Sequence, residues 1–148
     1  MKLAHNIKVS VFCGPEENEA EIKKALISLF PFGLEKEKIN VDEQSATGFN
    51  EKKIKIFEII LKKDSHINSF LKNLKEKVGN QAKILAEQAE SRIDNELCFF
   101  LRLDKEKLVN ENAHILTEKG SCFHIKASIA AFPRKREIAI GIVREFFG

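Results

Sequence analysis

The 148-residue chain lacks tryptophan and tyrosine and has only one methionine, three prolines and three cysteines. Its twelve phenylalanines must therefore supply nearly all of the aromatic contacts, in the core or against a ligand. An odd number of cysteines without CxxC spacing argues against a disulfide framework or a zinc knuckle. A reducing compartment is the simplest setting for such a chain.

Long apolar runs and a strong charge excess are also missing. No stretch reaches the roughly 18 apolar residues of a membrane span, and the first residues do not follow a signal-peptide pattern. The 25 Lys and Arg against 22 Asp and Glu give a net charge of +3. A nucleic-acid role must then depend on where the cations lie. We expect a soluble, cytoplasmic protein with no membrane association, folded as a single domain over residues 1–148.

Catalytic and metal-binding motifs are absent as well. No HxxxH, HxH, DxD or GxSxG spacing and no glycine-rich phosphate loop occurs. Cys98 and Cys122 would be neighbours if their strands pair, but free cysteines in a sheet are more often small packing residues than ligands. We therefore expect no enzyme activity, no cofactor and no metal.

The stretch NELCFFLRLD, residues 95–104, alternates between two kinds of side chain. Leu97, Phe99 and Leu101 predict a core face, whereas Phe100 and Arg102 point to the other side. An aromatic ring and a guanidinium two residues apart form a stacking-and-charge pair. Strands predicted over residues 5–12 and 121–131 show the same two-faced pattern, so the predicted buried layer also includes Val9, Val11, Phe123 and Ile125.

The predicted order of elements along the chain is β, α, weak β, β, α, α, β, β, β, α. A helix is predicted over residues 16–30, a weak edge strand within 34–45, and two helices over 64–78 and 81–92. Asp64 or Ser65 is the predicted cap of the first of these, and Gly79 its end. A short strand is predicted over 114–117, and a closing helix with Pro133 at its first position. This order predicts an α+β fold, a mainly antiparallel sheet packed with about four helices in two layers.

The strand predicted over residues 51–63 has isoleucines at both alternating positions. We assign Ile54, Ile56 and Ile60 to one face and Lys53, Lys55, Phe57, Ile59 and Leu61 to the other. Glu58 interrupts the first face, which indicates a bulge or an edge.

If the strands share one sheet and turn their apolar sides to the helices, the opposite face collects rings and cations. Such a face suits single-stranded nucleic acid, because each stacked base contributes about 1–3 kcal/mol and cations meet the phosphates. An alternative is that some of these rings are core, covered by a helix or by a second subunit. The candidate residues on this face are Lys8, Phe12, Lys53, Lys55, Phe57, Phe100, Arg102, His124 and Lys126.

The segment AFPRKRE predicts a second basic site, at the start of the closing helix. Arg134, Lys135 and Arg136 would oppose the helix dipole in the first turn, and a bound phosphate would remove that conflict. The alternative is a solvated charge run, partly compensated by Glu137.

Four runs, SLFPF, GFNEKKIKIFE, ESRIDNELCFFLRLDK and SCFHIKASIAAFPRKRE, carry a family resemblance. They resemble a small archaeal family described as RNA-binding proteins or predicted exosome subunits, and the resemblance covers nearly the whole chain. It implies a fold similar to that of the fifth large-subunit ribosomal protein. It identifies no individual RNA-contacting residue, so the candidates above rest on physical argument.

We therefore expect a non-catalytic RNA-binding protein, associated with RNA processing or ribosome-related assembly. The RNA would be single-stranded or a structured non-coding RNA. The alternative is a protein-interaction subunit whose sheet face is a dimer or complex interface. Salt dependence distinguishes the two, because phosphate contacts weaken steeply with salt. An RNA-modifying enzyme would need a polar cleft that the sequence does not indicate.

Overall fold

Five strands and five α-helices make up the computed structural model, which describes residues 2–47 and 52–148. The strands are β1 (Ala4–Cys13), β2 (Asp42–Thr47), β3 (Lys53–Leu61), β4 (Cys98–Asp104) and β5 (Cys122–Ile129). The helices are α1 (Glu19–Ser28), α2 (Asp64–Val78), α3 (Ala82–Glu87), α4 (Lys105–Glu111) and α5 (Arg136–Phe147), with a 3₁₀ turn at Gly79–Gln81. This confirms the predicted α+β class.

All five strands form one antiparallel sheet in the order β2-β3-β1-β5-β4. The weak edge strand predicted within residues 34–45 corresponds to β2, which begins only at Asp42 and is exposed along its whole length. The sequence ATGFN, residues 46–50, also predicts a turn after this strand, and most of that turn lies outside the described residues. No helix in the described ranges is long and apolar enough to cross a bilayer.

The core lies between one face of the sheet and the helices. The predicted buried layer is confirmed, because its seven members are all nearly inaccessible to solvent. The Phe99 ring, for example, packs 5.7 Å from the ring of Phe147 on α5. Burying a side chain of this size contributes about 1.5–3 kcal/mol. The layer consists of Val9, Val11, Leu97, Phe99, Leu101, Phe123 and Ile125.

Helix ends follow the capping signals in part. Asn18 caps α1 by accepting a hydrogen bond from the backbone N–H of Glu21 at 3.2 Å. Gly79 ends α2 as predicted, with a φ of 57° that favours glycine. The predicted cap of α2 is wrong, because Asp64 is the first helical residue and Lys63 precedes it without a side-chain cap.

Two other predicted elements need correction. Residues 114–117 do not form a strand; they make one isolated bridge, between Leu103 and Leu116, and otherwise run as a loop. The closing helix α5 begins at Arg136, three residues after Pro133. The backbone N–H of Lys135 donates to the Pro133 carbonyl at 2.8 Å, so a tight turn occupies the predicted first turn of the helix.

A buried lysine joins three parts of the fold. The Nζ of Lys105, at the start of α4, donates to the Phe12 carbonyl at 2.6 Å and to the two Glu17 carboxylate oxygens at 3.0 and 3.2 Å. Its charge is therefore compensated despite burial. The contact fixes the end of β1 and the loop before α1 against α4.

Candidate nucleic-acid interface

The sheet face that points away from the helices is called the open face here. Register places its side chains in rows that cross several strands. One row runs from β3 to β4 through Ile60, Lys8, Lys126 and Phe100. The next starts on β2 and runs through Asp42, Glu58, Ser10, His124 and Arg102.

The first row brings two cations and a ring together. Lys8 and Lys126 lie directly opposite each other on β1 and β5, an arrangement that like charges disfavour. The Lys126 Nζ lies 5.6 Å from the centroid of the Phe100 ring, within reach of a cation–π contact. Phe100 itself is 37% exposed, so one part of its surface is open to a ligand.

The second row places a guanidinium next to an imidazole. Arg102 is exposed and lies opposite His124. Burial, and then the nearby Arg102 charge, lower the pKa of His124. Neither Arg102 nor Lys126 forms an ion pair within the part of the chain that the structure describes. We call Lys8, Phe100, Arg102, His124 and Lys126 the cationic half of the open face.

The rest of the open face has a different character. Ile54, Ile56 and Ile60 on β3 are half-buried, and Phe12, opposite Ile56, is 55% exposed. Glu58 lies among them, and its Oε2 is 3.2 Å from the Nζ of Lys8. We call these five residues the apolar half.

Three predicted site residues lie on the wrong face for the predicted site. Phe57 is fully buried on the helix side, opposite the core residue Val11, with the Lys23 Nζ 4.9 Å from its ring centroid. Lys55 and Lys53 share this side, and the Lys55 Nζ pairs with Glu19 Oε1 at 2.8 Å.

The physical reason is that β3 has isoleucines at both alternating positions, so hydrophobicity alone cannot orient it. Pairing with β1 decides the orientation and turns Ile54, Ile56, Glu58 and Ile60 to the open face. No bulge occurs at Glu58, because the register with β1 and β2 continues through it.

The basic segment before α5 is divided in the structure. Arg134 and Lys135 are exposed and precede the helix, and the Arg134 Nη2 lies 3.4 Å from the Glu96 carbonyl. Arg136 is the first helical residue, and its guanidinium donates to the Glu90 carbonyl and, at 2.9 Å, to the Ile93 carbonyl. The prediction of three cations in the first helical turn is therefore wrong.

The two cysteines of the open face lie at opposite ends of the β4–β5 pair. Cys98 is opposite Ser128, and Cys122 is opposite Asp104, because the strands are antiparallel. The two strands pair, but the register keeps the two cysteines apart. Both are buried, and burial is the main cause that raises the pKa of each thiol. In the described ranges no three His, Cys, Asp or Glu side chains are grouped so that they could hold a metal ion.

The outer edge of β4, next to the cationic half, is covered by the protein's own backbone. Phe100 N–H donates to the Arg92 carbonyl at 2.9 Å, and Asp104 N–H to the Ile115 carbonyl at 2.8 Å. The Arg102 carbonyl accepts from the Thr117 N–H at 3.0 Å. An open groove of about 630 Å³ flanks this edge, with Phe100 and Arg102 on one wall.

Comparison with known proteins finds similarity to RNA-binding proteins. A family model described as RNA binding matches residues 6–129. The chain is also similar to the RNA-binding protein PAB1135 of Pyrococcus abyssi, with 28% identity over 144 residues, covering 97% of this chain and 93% of that protein.

Solved structures show the same fold at full length. Protein AF2318 of Archaeoglobus fulgidus superposes with a TM-score of 0.86 at 29% identity, covering 97% of this chain and 99% of that one. Mth689 of Methanothermobacter thermautotrophicus superposes with a TM-score of 0.80 at 25% identity, covering 99% of this chain and all of the other.

Proposed function

The chain belongs to the RNA-binding family whose model matches residues 6–129, and from this we propose that it binds RNA through the cationic half of its open face. The role is one of binding, without catalysis of a reaction on the RNA. The favoured ligand is single-stranded RNA or an unpaired segment of a structured non-coding RNA, since a ring on a sheet stacks on bases whose faces are free.

The observation that carries this proposal is the row of Lys8, Lys126 and Phe100. Two lysines lie opposite each other there; Glu58 offsets the charge of Lys8 at 3.2 Å, whereas Lys126 has no ion-pair partner in the described ranges, so a phosphate beside Lys126 would relieve the remaining repulsion. The adjacent ring is partly exposed and offers a stacking surface beside that phosphate site. Arg102, one row away and without an ion-pair partner in the described ranges, supplies a further cation.

The basic segment extends the same surface in this proposal. Arg134 and Lys135 are exposed to solvent, with only the Arg134 Nη2 contacting the Glu96 carbonyl, whereas Arg136 holds the loop to the carbonyls of Glu90 and Ile93. Arg136 thus contributes mainly by positioning its two neighbours.

The proposed setting comes from the family resemblance. Its members are described as RNA-binding proteins or predicted exosome subunits, with a fold like that of the fifth large-subunit ribosomal protein. We accordingly place the activity in RNA processing or ribosome-related assembly in the cytoplasm. Crosslinking in native cells followed by sequencing of the attached RNA tests this setting, and recovery of no RNA above background would contradict it.

Binding itself is tested by the salt dependence of affinity for a labelled single-stranded RNA. We expect the joint Arg102→Gln, Lys126→Gln variant to lower the slope of log affinity against log salt by about 1.4, at about 0.7 per lost phosphate contact. Fluorescence anisotropy over a range of salt concentrations measures the slope.

The control is Lys53→Gln, which removes an exposed lysine on the opposite side of the sheet. We expect it to leave the slope unchanged. Equal effects per removed charge in the control and in the joint variant would mean that binding reflects net charge and not the cationic half.

A second candidate function is favoured by the apolar half. Ile54, Ile56 and Phe12 form a continuous apolar surface on adjacent strands, which suits contact with a second copy or another subunit. Light scattering on the wild type and on Ile56→Asp tests this. A mass above one chain that falls in the variant supports an interface, and a mass of one chain for the wild type excludes one between copies.

A further inference from the structure

Phe132 is the most exposed large apolar side chain among the described residues, with 95% of its surface accessible. It makes no ring or cation contact with any other residue that the structure describes. Burying a ring is strongly favourable, because aromatic side chains carry 150–250 Å² of mostly apolar surface. The fold itself therefore gains nothing from a ring at this position.

The loop that carries Phe132 passes the ends of the three strands that carry the cationic half, β1, β5 and β4. It leaves β5 at Ile129, and the backbone N–H of Ala130 donates to the Leu3 carbonyl beside the start of β1. Farther on, Arg134 reaches the Glu96 carbonyl next to β4. Residues 129–134 thus span the adjacent ends of β1, β5 and β4.

Contacts at Glu96 connect this loop to the open face. The Glu96 carbonyl lies 3.4 Å from the Arg134 Nη2 and also 4.0 Å from the Sγ of Cys98. Cys98 is an open-face residue two positions before Phe100 on β4, about 7 Å along the strand. The Arg134 guanidinium therefore lies beyond Phe100, near the end of β4 where single-stranded RNA running along β4 would leave the sheet.

We propose that the RNA path continues past the end of the sheet and that Phe132 stacks on a second base there, with Arg134 on the adjoining phosphate. This rests on the proposed function, since it extends the same path. The ligand is then a single strand long enough to span both Phe100 and Phe132. A duplex has no free base faces to offer two separated rings.

The test measures affinity for oligouridylates of two lengths, about 4 and about 12 nucleotides, within the usual range of single-strand site sizes. We expect Phe132→Ala to weaken binding of the longer RNA about 5- to 150-fold, the loss of one stacked base. Binding of the shorter RNA, which covers the sheet alone, stays unchanged. Phe132→Tyr keeps a stacking ring and retains the affinity for the longer RNA.

Two controls separate this inference from its premise. Ile84→Ala removes an exposed apolar side chain on α3 and leaves both affinities unchanged. Phe100→Ala weakens both lengths if the sheet binds RNA. Because Phe132 is almost fully exposed, its replacement leaves the melting temperature unchanged, so loss of folding does not confuse the result.

Three outcomes decide between the ideas. A length-dependent loss in Phe132→Ala supports the extended path. Unchanged binding of both lengths in Phe132→Ala, together with weaker binding in Phe100→Ala, overturns the extension and leaves the proposed function standing. Equal loss for both lengths also overturns the extension, because Phe132 would then belong to the primary site.

Discussion

The two halves of the open face differ most clearly within a single row of the sheet. Asp42 and Glu58 occupy one end of this row, and His124 and Arg102 occupy the other. Across five neighbouring strands, this row thus changes from acidic to basic side chains over a short distance. A net charge of +3 hides this separation, so the proposed RNA site depends on the placement of the charges and not on their sum.

The largest expected effect comes from removing the ring of the cationic half. Phe100→Ala should weaken single-stranded RNA binding by about 1–3 kcal/mol, because one stacked base loses its partner. Ile56→Ala, on the apolar half, should leave RNA affinity unchanged. Anisotropy titrations with both variants measure the difference. A drop in melting temperature of many degrees for Phe100→Ala, without loss of RNA binding, would instead make the ring part of the fold or of a protein interface.

A smaller effect should follow from making the two halves alike in charge. Glu58→Lys removes the carboxylate that pairs with Lys8 and adds a cation in the next row. We expect the salt slope for RNA to become steeper by up to about 1.4, corresponding to two more phosphate contacts. Glu43→Lys is the matched control, because Glu43 lies opposite Phe57 and so shares the helix side of the sheet. An identical gain in the control would mean that any added cation suffices.

The smallest effect concerns His124. Its pKa in the folded protein lies below the ordinary value, so the imidazole is neutral at pH 7 and takes up a proton only under acid conditions. Protonation therefore destabilises the free protein as pH falls, whereas a bound phosphate favours the protonated form. RNA affinity should rise on acidification from pH 7, by less than about tenfold per pH unit for one proton.

His124→Gln should remove this rise. Titrations at several pH values, made at constant salt, check it against the wild type. A wild-type affinity that falls on acidification would show that no phosphate lies near His124.

The sequence predicts the strands well where one face is strictly apolar. β1, β4 and β5 alternate between large apolar residues and polar ones, so their register and the cationic half follow from the pattern. In β3 isoleucines at both positions leave the orientation to cross-strand pairing, which no local pattern records. Phe57 and its two lysine neighbours were misplaced for that reason.

Sequence signals for the start of a helix are less reliable than the strand pattern. Pro133 fits the first turn of a helix by residue type, yet the apolar pattern of α5 starts only at Ile138, and the helix begins near it. The charge pattern alone also could not show that Arg136 is held by two carbonyl groups, since its partners lie more than forty residues away in the chain.

The covered edge of β4 limits how a ligand can bind beside the cationic half. The N–H groups of Phe100 and Asp104 and the carbonyl of Arg102 are already hydrogen-bonded to the protein itself, so an incoming chain cannot lengthen the sheet there. Side chains are the groups that remain available at this edge, and in the proposed function they stack on the planes of bases and contact the charges of phosphates. Since every base has such a plane, this surface should discriminate poorly among nucleotide sequences and respond instead to whether a strand is unpaired and how far it extends.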